Sequence, residues 1–251
     1  MILKNEMIRL SKITGLKPFQ QEKAYAQTLI LKLLYSETTD PVFKGGTELA
    51  MFAHLPRFSE DLDFNVNKNI KILSIIKKIS AGLDLIGLKN SYKLNKINNV
   101  SNSYQFSIEG PLFTTPVSRI TVKIDLSMRE KLIMPTEVKT FNPLYSDIMP
   151  FDAVCMNINE IMDEKVRAII TRNKARDVFD LYYMLKNYKI ILDKNIINNK
   201  LSYYGLTFSY EKFQESIEKK RNIWKIELDP VLLIKTPDFD ETKNFILREI
   251  V

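Results

Sequence analysis

Two aspartates separated by a single residue are the clearest chemical feature of this sequence. Asp61 and Asp63 lie in residues 57–64, which read Arg-Phe-Ser-Glu-Asp-Leu-Asp-Phe. Alternate side chains of a strand share a face, so the two carboxylates would lie side by side, with apolar neighbours on the other face. Adjacent anions repel each other unless a cation lies between them, and Mg²⁺ or Mn²⁺ with oxygen ligands suits such a pair. Taken alone, the motif is equally typical of a solvated surface strand.

A third carboxylate lies on a later segment of the same kind. In residues 121–126 every second residue is apolar, which places Asp125 on the polar face together with Thr121 and Lys123. If this strand is a neighbour of the first, three carboxylates converge, as metal-assisted phosphoryl transfer requires. The alternative is an edge strand with an exposed aspartate.

A pair of glycines precedes these acidic residues. Gly45 and Gly46, followed by Thr47, lie between a short apolar run and a helical stretch. Residues without Cβ allow close approach to the backbone, and the amides that begin a helix point toward an anion. We interpret the segment as a phosphate cradle, although its spacing is not that of a P-loop and glycine pairs also occur in ordinary turns.

Charged residues with unusual placement also occur in the second half of the chain. On a helix over 158–172, Lys165 falls in the middle of the apolar stripe, so it must pair, hold an anion or reach water with its tip. We interpret it as holding a nucleotide phosphate or transition-state charge, with a snorkelling lysine as the alternative. Asp177 lies in the narrow polar stripe of the next helix, where an ion pair across the helical hairpin is the alternative to a functional role.

The composition excludes several classes of site and is compatible with an anionic partner. The single cysteine, Cys155, and single histidine, His54, rule out an internal disulfide, a thiolate metal cage and any two-histidine site. No apolar run approaches the roughly 18 residues of a membrane span, and residues 1–15 lack the apolar core of a signal peptide. We expect a soluble cytoplasmic protein. The net charge of +7 and the five basic residues over 165–176, with no acidic one, would suit an RNA backbone or a solvated surface.

Both helices and strands must position these residues. Hydrophobic periodicity predicts helices over 18–37, 47–54, 70–85, 158–171, 175–187, 208–222 and 240–249. Alternation predicts strands over 42–43, 57–66 and 120–126, and a loop followed by a strand over 90–109. Because strands and helices mix only before about residue 150, we expect an α/β domain over 1–150 and a helical domain over 151–251.

The order of these motifs resembles the nucleotidyltransferase superfamily related to DNA polymerase β. A glycine pair with a hydroxyl residue is followed by paired aspartates on one strand and a third aspartate on a later strand. Residues 44–47 (Lys-Gly-Gly-Thr) and 57–64 are similar to the AbiEii/AbiGii (MenT-like) branch, whose members are toxins of toxin–antitoxin and abortive-infection systems. Residues 163–165 and 176–181 also resemble that branch, whose C-terminal helices carry a lysine and an Arg-Asp motif. The resemblance covers roughly residues 18–187.

The resemblance implies a fold and a reaction. The fold would be a mixed-sheet nucleotidyltransferase core with a C-terminal α-helical domain. The enzyme would move a nucleoside monophosphate from an NTP to an acceptor hydroxyl with Mg²⁺ or Mn²⁺, releasing pyrophosphate. The acceptor would be RNA, including the tRNA 3′ end, and an antitoxin protein would be a partner.

The resemblance also implies roles for individual residues. Asp61 and Asp63 would bind the metal, with Asp125 as third ligand or as base for the acceptor hydroxyl. Because the wider superfamily has Gly-Ser where this chain has Gly-Gly-Thr, Thr47 must supply the hydroxyl contact. Asp177 would orient Lys165 or the acceptor. The nucleotide-binding residues would be Lys44, Gly45, Gly46, Thr47, Ser59 and Lys165, and the catalytic ones Asp61, Asp63, Asp125, Lys165 and Asp177.

Two other functions stay open at this point. A transferase of the same superfamily could modify a protein or a small molecule instead of RNA. A nucleic-acid-binding module could keep the fold without the chemistry, and the basic run over 165–176 permits that alternative.

Overall fold

The computed structural model describes residues 1–67, 70–129 and 131–250. Within them the chain forms two compact units. The first unit comprises residues 1–52, 58–129 and 136–155, and the second comprises residues 53–57, 131–135 and 156–250.

The first unit is an α/β structure built on a seven-stranded mixed sheet. Its helices are α1 (Lys4–Thr14), α2 (Pro18–Glu37), α3 (Gly45–Phe52) and α4 (Ile72–Leu85). Its strands are β1 (Val42–Lys44), β2 (Asp61–Asn65), β3 (Asn90–Asn98), β4 (Ser101–Ile108), β5 (Ile120–Ser127), β6 (Glu137–Phe141) and β7 (Phe151–Cys155). The strand order is β3-β4-β5-β2-β1-β7-β6. The pairs β2–β5 and β1–β7 are parallel, and the other pairs are antiparallel.

The core of this unit lies between one face of the sheet and helices α2 and α4. Leu62 and Phe64 of β2 are fully buried, as are Val122 and Ile124 of β5, because every second side chain points toward the helices. Burying such side chains contributes about 1.5–3 kcal/mol each. The apolar face therefore fixes which residues of β2 and β5 point the other way.

The second unit is helical. Its helices are α5 (Ile158–Thr171), α6 (Ala175–Asn187), α7 (Lys194–Ser202), α8 (Tyr210–Glu218), α9 (Trp224–Leu228) and α10 (Phe239–Glu249). Four of them begin at a side-chain cap, which satisfies backbone N–H groups that have no partner within the helix. The capping residues are Asn157, Asp193, Ser209 and Asp238. None of the helices within the described residues has the length and apolar character that crossing a bilayer demands.

The predicted α/β class with a mixed sheet and C-terminal helices is confirmed. The helices predicted over 18–37, 158–171 and 175–187 have those bounds. The predicted strand over 57–66 is shorter, because Arg57 leaves it to form an isolated bridge with Leu232. The predicted helix over 47–54 begins at Gly45 and ends at Phe52.

Other elements lacked a periodic signal. The predicted loop and strand over 90–109 form a hairpin whose first strand, β3, is mostly exposed and so carries no apolar alternation. Strands β6 and β7 were not predicted. No residue of β6 is buried, and only Ala153 and Cys155 of β7 are, so neither strand shows a strong apolar alternation. Helix α8 ends at Glu218, earlier than the predicted 222.

Candidate active site

The three aspartates lie on one face of two neighbouring strands. Strands β2 and β5 pair in parallel, with Asp63 directly opposite Asp125 and Asp61 directly opposite Lys123. Directly opposed residues point to the same side of a sheet, so all three carboxylates project from the face that the apolar core does not use. Strand β5 lies between β4 and β2, and the alternative of an edge strand for Asp125 is therefore wrong.

A lysine ammonium lies among these carboxylates. Lys123 Nζ is 2.5 Å from Asp125 Oδ2, and the two side chains are 40% and 33% exposed. Partial burial opposes the charged form of Lys123, but the hydrogen bond and charge of Asp125, with the charges of Asp61 and Asp63, raise the pKa of Lys123 above its ordinary value. The ammonium of Lys123 thus balances part of the negative charge of all three aspartates.

The pKa of Asp61 reflects the same concentration of charge. Burial is the main reason why it lies above the ordinary value, and the negative charges of Asp125 and Glu60 raise it further. The charges of Lys123 and Lys23 act in the opposite direction. An additional cation near Asp61 would therefore be favoured electrostatically.

The glycine pair lies directly beside Asp63. Gly45 has φ +83°, and a Cβ at this position would lie 2.8 Å from Asp63 Oδ2. Glycine is thus required both by the left-handed backbone and by the space that Asp63 occupies. On β1, Lys44 is the cross-strand neighbour of Asp63 and lies on the same face. Helix α3 begins at Gly45, beside Asp63, and the backbone N–H groups of its first turn have no acceptor within the helix.

The hydroxyl group of Thr47 connects α3 to β2. Thr47 is buried, and its Oγ1 donates a hydrogen bond to the backbone carbonyl of Asp61 at 2.5 Å. The hydroxyl proton is used inside the protein, and the contact of Thr47 with a nucleotide stays a prediction. The donors that this motif offers to a phosphate are the backbone N–H groups at the start of α3.

Helix α2 anchors the segment that leads into β2. Gln27 Nε2 donates to the backbone carbonyl of Ser59 at 3.1 Å, and Lys23 Nζ lies 3.3 Å from Glu60 Oε2. Ser59 is half-buried, two residues before Asp61. The position of the aspartates along β2 is therefore held by α2 as well as by the sheet.

Sequence reasoning missed Glu48, the residue after Thr47. Glu48 is fully buried and pairs with Lys139 of β6 at 3.0 Å. Its burial raises the pKa of the carboxyl to about 6, against the effect of Lys139. No sequence signal separated Glu48 from an ordinary polar helix position, because its partner lies 91 residues away.

In the second unit, Lys165 and Asp177 are partners in a buried ion network. Lys165 Nζ lies 2.9 Å from Asp177 Oδ1 and 2.7 Å from Asp180 Oδ2. Arg57 adds a contact of 2.6 Å to Asp180, and Arg172 adds one of 2.7 Å to Asp177. Burial alone would raise the pKa of both carboxyls, but the neighbouring cations lower the pKa of Asp177 and of Asp180.

This network clarifies the two sequence interpretations of Lys165. The side chain is 9% exposed and paired, so the snorkelling alternative is wrong. The ion pair across the helical hairpin, considered for Asp177, is present. A role of Lys165 or Asp177 in catalysis stays a prediction. In the sequence, the three-residue spacing that puts Asp177 and Asp180 on one helix face was the only sign of this ion network. Arg57 could not be linked to it, because it lies 123 residues before Asp180.

The donor chemistry of the three aspartates suits a divalent metal, but their side chains are not gathered into a ligand cluster. Across residues 1–67, 70–129 and 131–250, no group of three acidic, histidine or cysteine side chains is arranged to hold an ion. The carboxylate of Asp125 is bound to Lys123. The register of Asp63 and Asp125 and the purely oxygen donor set fit Mg²⁺ or Mn²⁺.

The fold is that of a nucleotidyltransferase. MenT4, a nucleotidyltransferase toxin from Mycobacterium tuberculosis, superposes with a TM-score of 0.69 at 15% identity, over 100% of this chain and 89% of that one. JHP933 from Helicobacter pylori gives 0.61 at 22% identity, over 92% and 90%. A putative nucleotidyltransferase from H. pylori gives 0.61 at 24% identity, over 90% and 91%.

Comparison of the amino-acid sequence with family models identifies the family within this fold. The family model described as "Nucleotidyl transferase AbiEii toxin, Type IV TA system" matches residues 32–244. The protein belongs to the AbiEii nucleotidyltransferase toxin family, as the motif resemblance predicted. A comparison with curated proteins gave no match.

Proposed function

We propose that this protein is a metal-dependent nucleotidyltransferase that moves a nucleoside monophosphate from an NTP to an acceptor hydroxyl. The observation that carries the proposal is that three aspartates lie on one face of the paired strands β2 and β5, with Asp63 beside Gly45. Membership of a nucleotidyltransferase toxin family supports the reaction class. The NTP substrate, the divalent metal and the acceptor hydroxyl are parts of what we propose.

We assign each residue a role in the reaction from its position in the site. Asp61 and Asp63 would hold Mg²⁺ or Mn²⁺, which when bound neutralises charge on the triphosphate and on departing pyrophosphate. The first turn of α3, from Gly45 to Thr47, donates backbone N–H groups to the phosphates. Lys44 and Ser59 remain proposed nucleotide contacts at the two ends of this motif.

Asp125 supplies either the third carboxylate ligand or the base. As base, it accepts the proton of the acceptor hydroxyl, whose oxygen forms a bond to the α-phosphorus. The bond from that phosphorus to the oxygen leading to the β-phosphate breaks, and pyrophosphate leaves with the electron pair.

RNA, including the tRNA 3′ end, is our proposed acceptor, and an antitoxin protein our proposed regulator. The basic residues over 165–176 and the net charge of +7 support a polyanionic acceptor. We place the reaction in the cytoplasm, where NTPs and RNA meet.

Labelled NTPs test the proposal directly. The enzyme is incubated with Mg²⁺, each of the four NTPs and either total RNA or total protein. We expect label in RNA only, and we expect Asp63→Asn to abolish it. Glu60→Gln is the matched control, because this exposed carboxylate adjoins Asp61 but pairs with Lys23. Label confined to protein, or to a small molecule, would establish the alternative acceptor, and full activity of the Asp63 variant would refute the assigned site.

One observation favours the non-catalytic alternative. The ammonium of Lys123 already neutralises part of the aspartate charge, as it would in a module that binds nucleic acid without a metal. Calorimetry separates the two functions, because such a module would show no Mg²⁺-dependent NTP binding.

A further inference from the structure

The ammonium of Lys123 lies at one of the three carboxylates that we propose as metal ligands. Its Nζ contacts Asp125 Oδ2 at 2.5 Å, and β5 places Lys123 directly opposite Asp61. The face thus carries three aspartates, with the Lys123 ammonium at Asp125 and Lys44 opposite Asp63. A lysine ammonium is a compact charge on a flexible stem, and this side chain is 40% exposed, so it can swing away from the sheet.

An ammonium and a divalent ion compete for the same oxygen. A magnesium ion binds its ligands at about 2.0–2.1 Å, so a metal bound by Asp125 would need the carboxylate that Lys123 now holds. Two cations on one carboxylate also repel each other. Within the part of the chain that the structure describes, Asp125 is paired with Lys123 and no ligand cluster is gathered.

We propose that Lys123 is a built-in counter-ion of the three aspartates, which holds Asp125 while no metal is bound and is displaced when a divalent ion enters. This inference rests on the proposed function. It adds a residue that sets metal affinity without binding the metal. Lys123 keeps the aspartates from repelling one another in the metal-free protein and, in return, weakens metal binding.

The expected effect follows from the charges. Two unit charges about 4 Å apart interact by about 1 kcal/mol in a water-like dielectric, and exposed ion pairs contribute about 0.2–1 kcal/mol. Removing the competing charge should therefore tighten metal binding by about fivefold, since a factor of ten corresponds to about 1.4 kcal/mol.

The test is Mn²⁺ binding by the full chain, followed through the loss of the free-ion signal in electron paramagnetic resonance. We expect Lys123→Met to bind Mn²⁺ about fivefold more tightly than the unmodified protein and Lys123→Arg, which keeps the charge, to bind like it. Lys93→Met is the control. This exposed lysine is separated from Lys123 by one strand, where Gln105 pairs with both, and its removal changes the net charge equally.

The outcomes distinguish the inference from the proposed function. Unchanged or weaker Mn²⁺ binding in Lys123→Met overturns the role of Lys123, while binding that Asp63→Asn abolishes still supports the metal site. Equal tightening in Lys93→Met also overturns it, because the effect would then be one of net charge. Failure of every variant to bind Mn²⁺ refutes both the metal site and the counter-ion. If the methionine variant does not fold, Lys123→Gln replaces it.

Discussion

Replacing Gly45 by alanine should damage the site more than the fold. The added methyl group meets two separate obstacles. The backbone at Gly45 has φ +83°, and the new carbon would lie 2.8 Å from Asp63 Oδ2 and 3.2 Å from its Cβ. The first obstacle is a property of the backbone alone, whereas the second acts on a residue of the proposed metal site.

The two obstacles can be given magnitudes. A residue other than glycine in the left-handed region costs about 1–2 kcal/mol. The contact with Asp63 adds to this, but the carboxylate can rotate away, so we expect a total loss of about 2–3 kcal/mol in the free energy of unfolding. Rotation of Asp63 would be costly for the proposed function, because an oxygen that we propose as a metal ligand would leave its place.

Gly87→Ala is a matched control for the backbone contribution. Gly87 has φ +85°, and a Cβ there would meet nothing within 4 Å. Urea unfolding of both variants should show a larger loss for Gly45→Ala, and Mn²⁺ binding and nucleotide transfer should fall only in that variant. If Gly45→Ala and Gly87→Ala lose the same stability and both keep full metal binding, the close approach of Gly45 to Asp63 plays no part in the site.

Three further predictions concern stability. Asp180→Ala leaves two buried cations short of a partner and should cost about 3–5 kcal/mol in urea unfolding; a loss under 1 kcal/mol would mean that the network is not a stabilising one. Thr47→Val removes the hydrogen bond to Asp61 and should cost about 1–2 kcal/mol, with Thr47→Ser close to the unmodified protein; equal losses in both variants would contradict this account. Burial raises the pKa of Asp163 to about 7 from 3.8, so the folded state binds the proton more tightly than the unfolded state. The contribution of Asp163 to stability is therefore favourable at low pH and is lost as the pH rises from about 4 to 7. Asp163→Asn should be more stable than the unmodified protein by about 1–3 kcal/mol at pH 8, with no gain at pH 4; a variant destabilised at pH 8 would refute this sign.

The parts of the fold that could be predicted are those with a strong local period. Helices α5 and α6 bury one broad stripe, and their bounds followed from the sequence. Strand β3 is exposed on nearly every residue, and α1 alternates charged and apolar residues, so neither stood out. Both elements pack on the element that follows them in the chain, β4 and α2, so their exposure and weak periodicity, rather than the distance to a partner, concealed them.

The candidate site divides in the same way. The shared face of Asp61 and Asp63 followed from the two-residue period of a strand. The sequence alone could not show that β2 and β5 are neighbours, so the place of Asp125 opposite Asp63 became known only from the strand register. Lys123 was placed on the polar face but not seen as a counter-ion. The contact between Gly45 and Asp63 depends on backbone geometry, which composition does not encode.

Residues 53–57 belong to the second unit although the residues on either side belong to the first, and this has a consequence for biosynthesis. Arg57 is translated 123 residues before its carboxylate partner Asp180, and it pairs with Leu232 still later. The nascent chain must therefore keep this guanidinium hydrated while β2 to β7 emerge from the ribosome. A chain released after Cys155 would retain Arg57 without Asp180, the carboxylate that neutralises it in the folded protein.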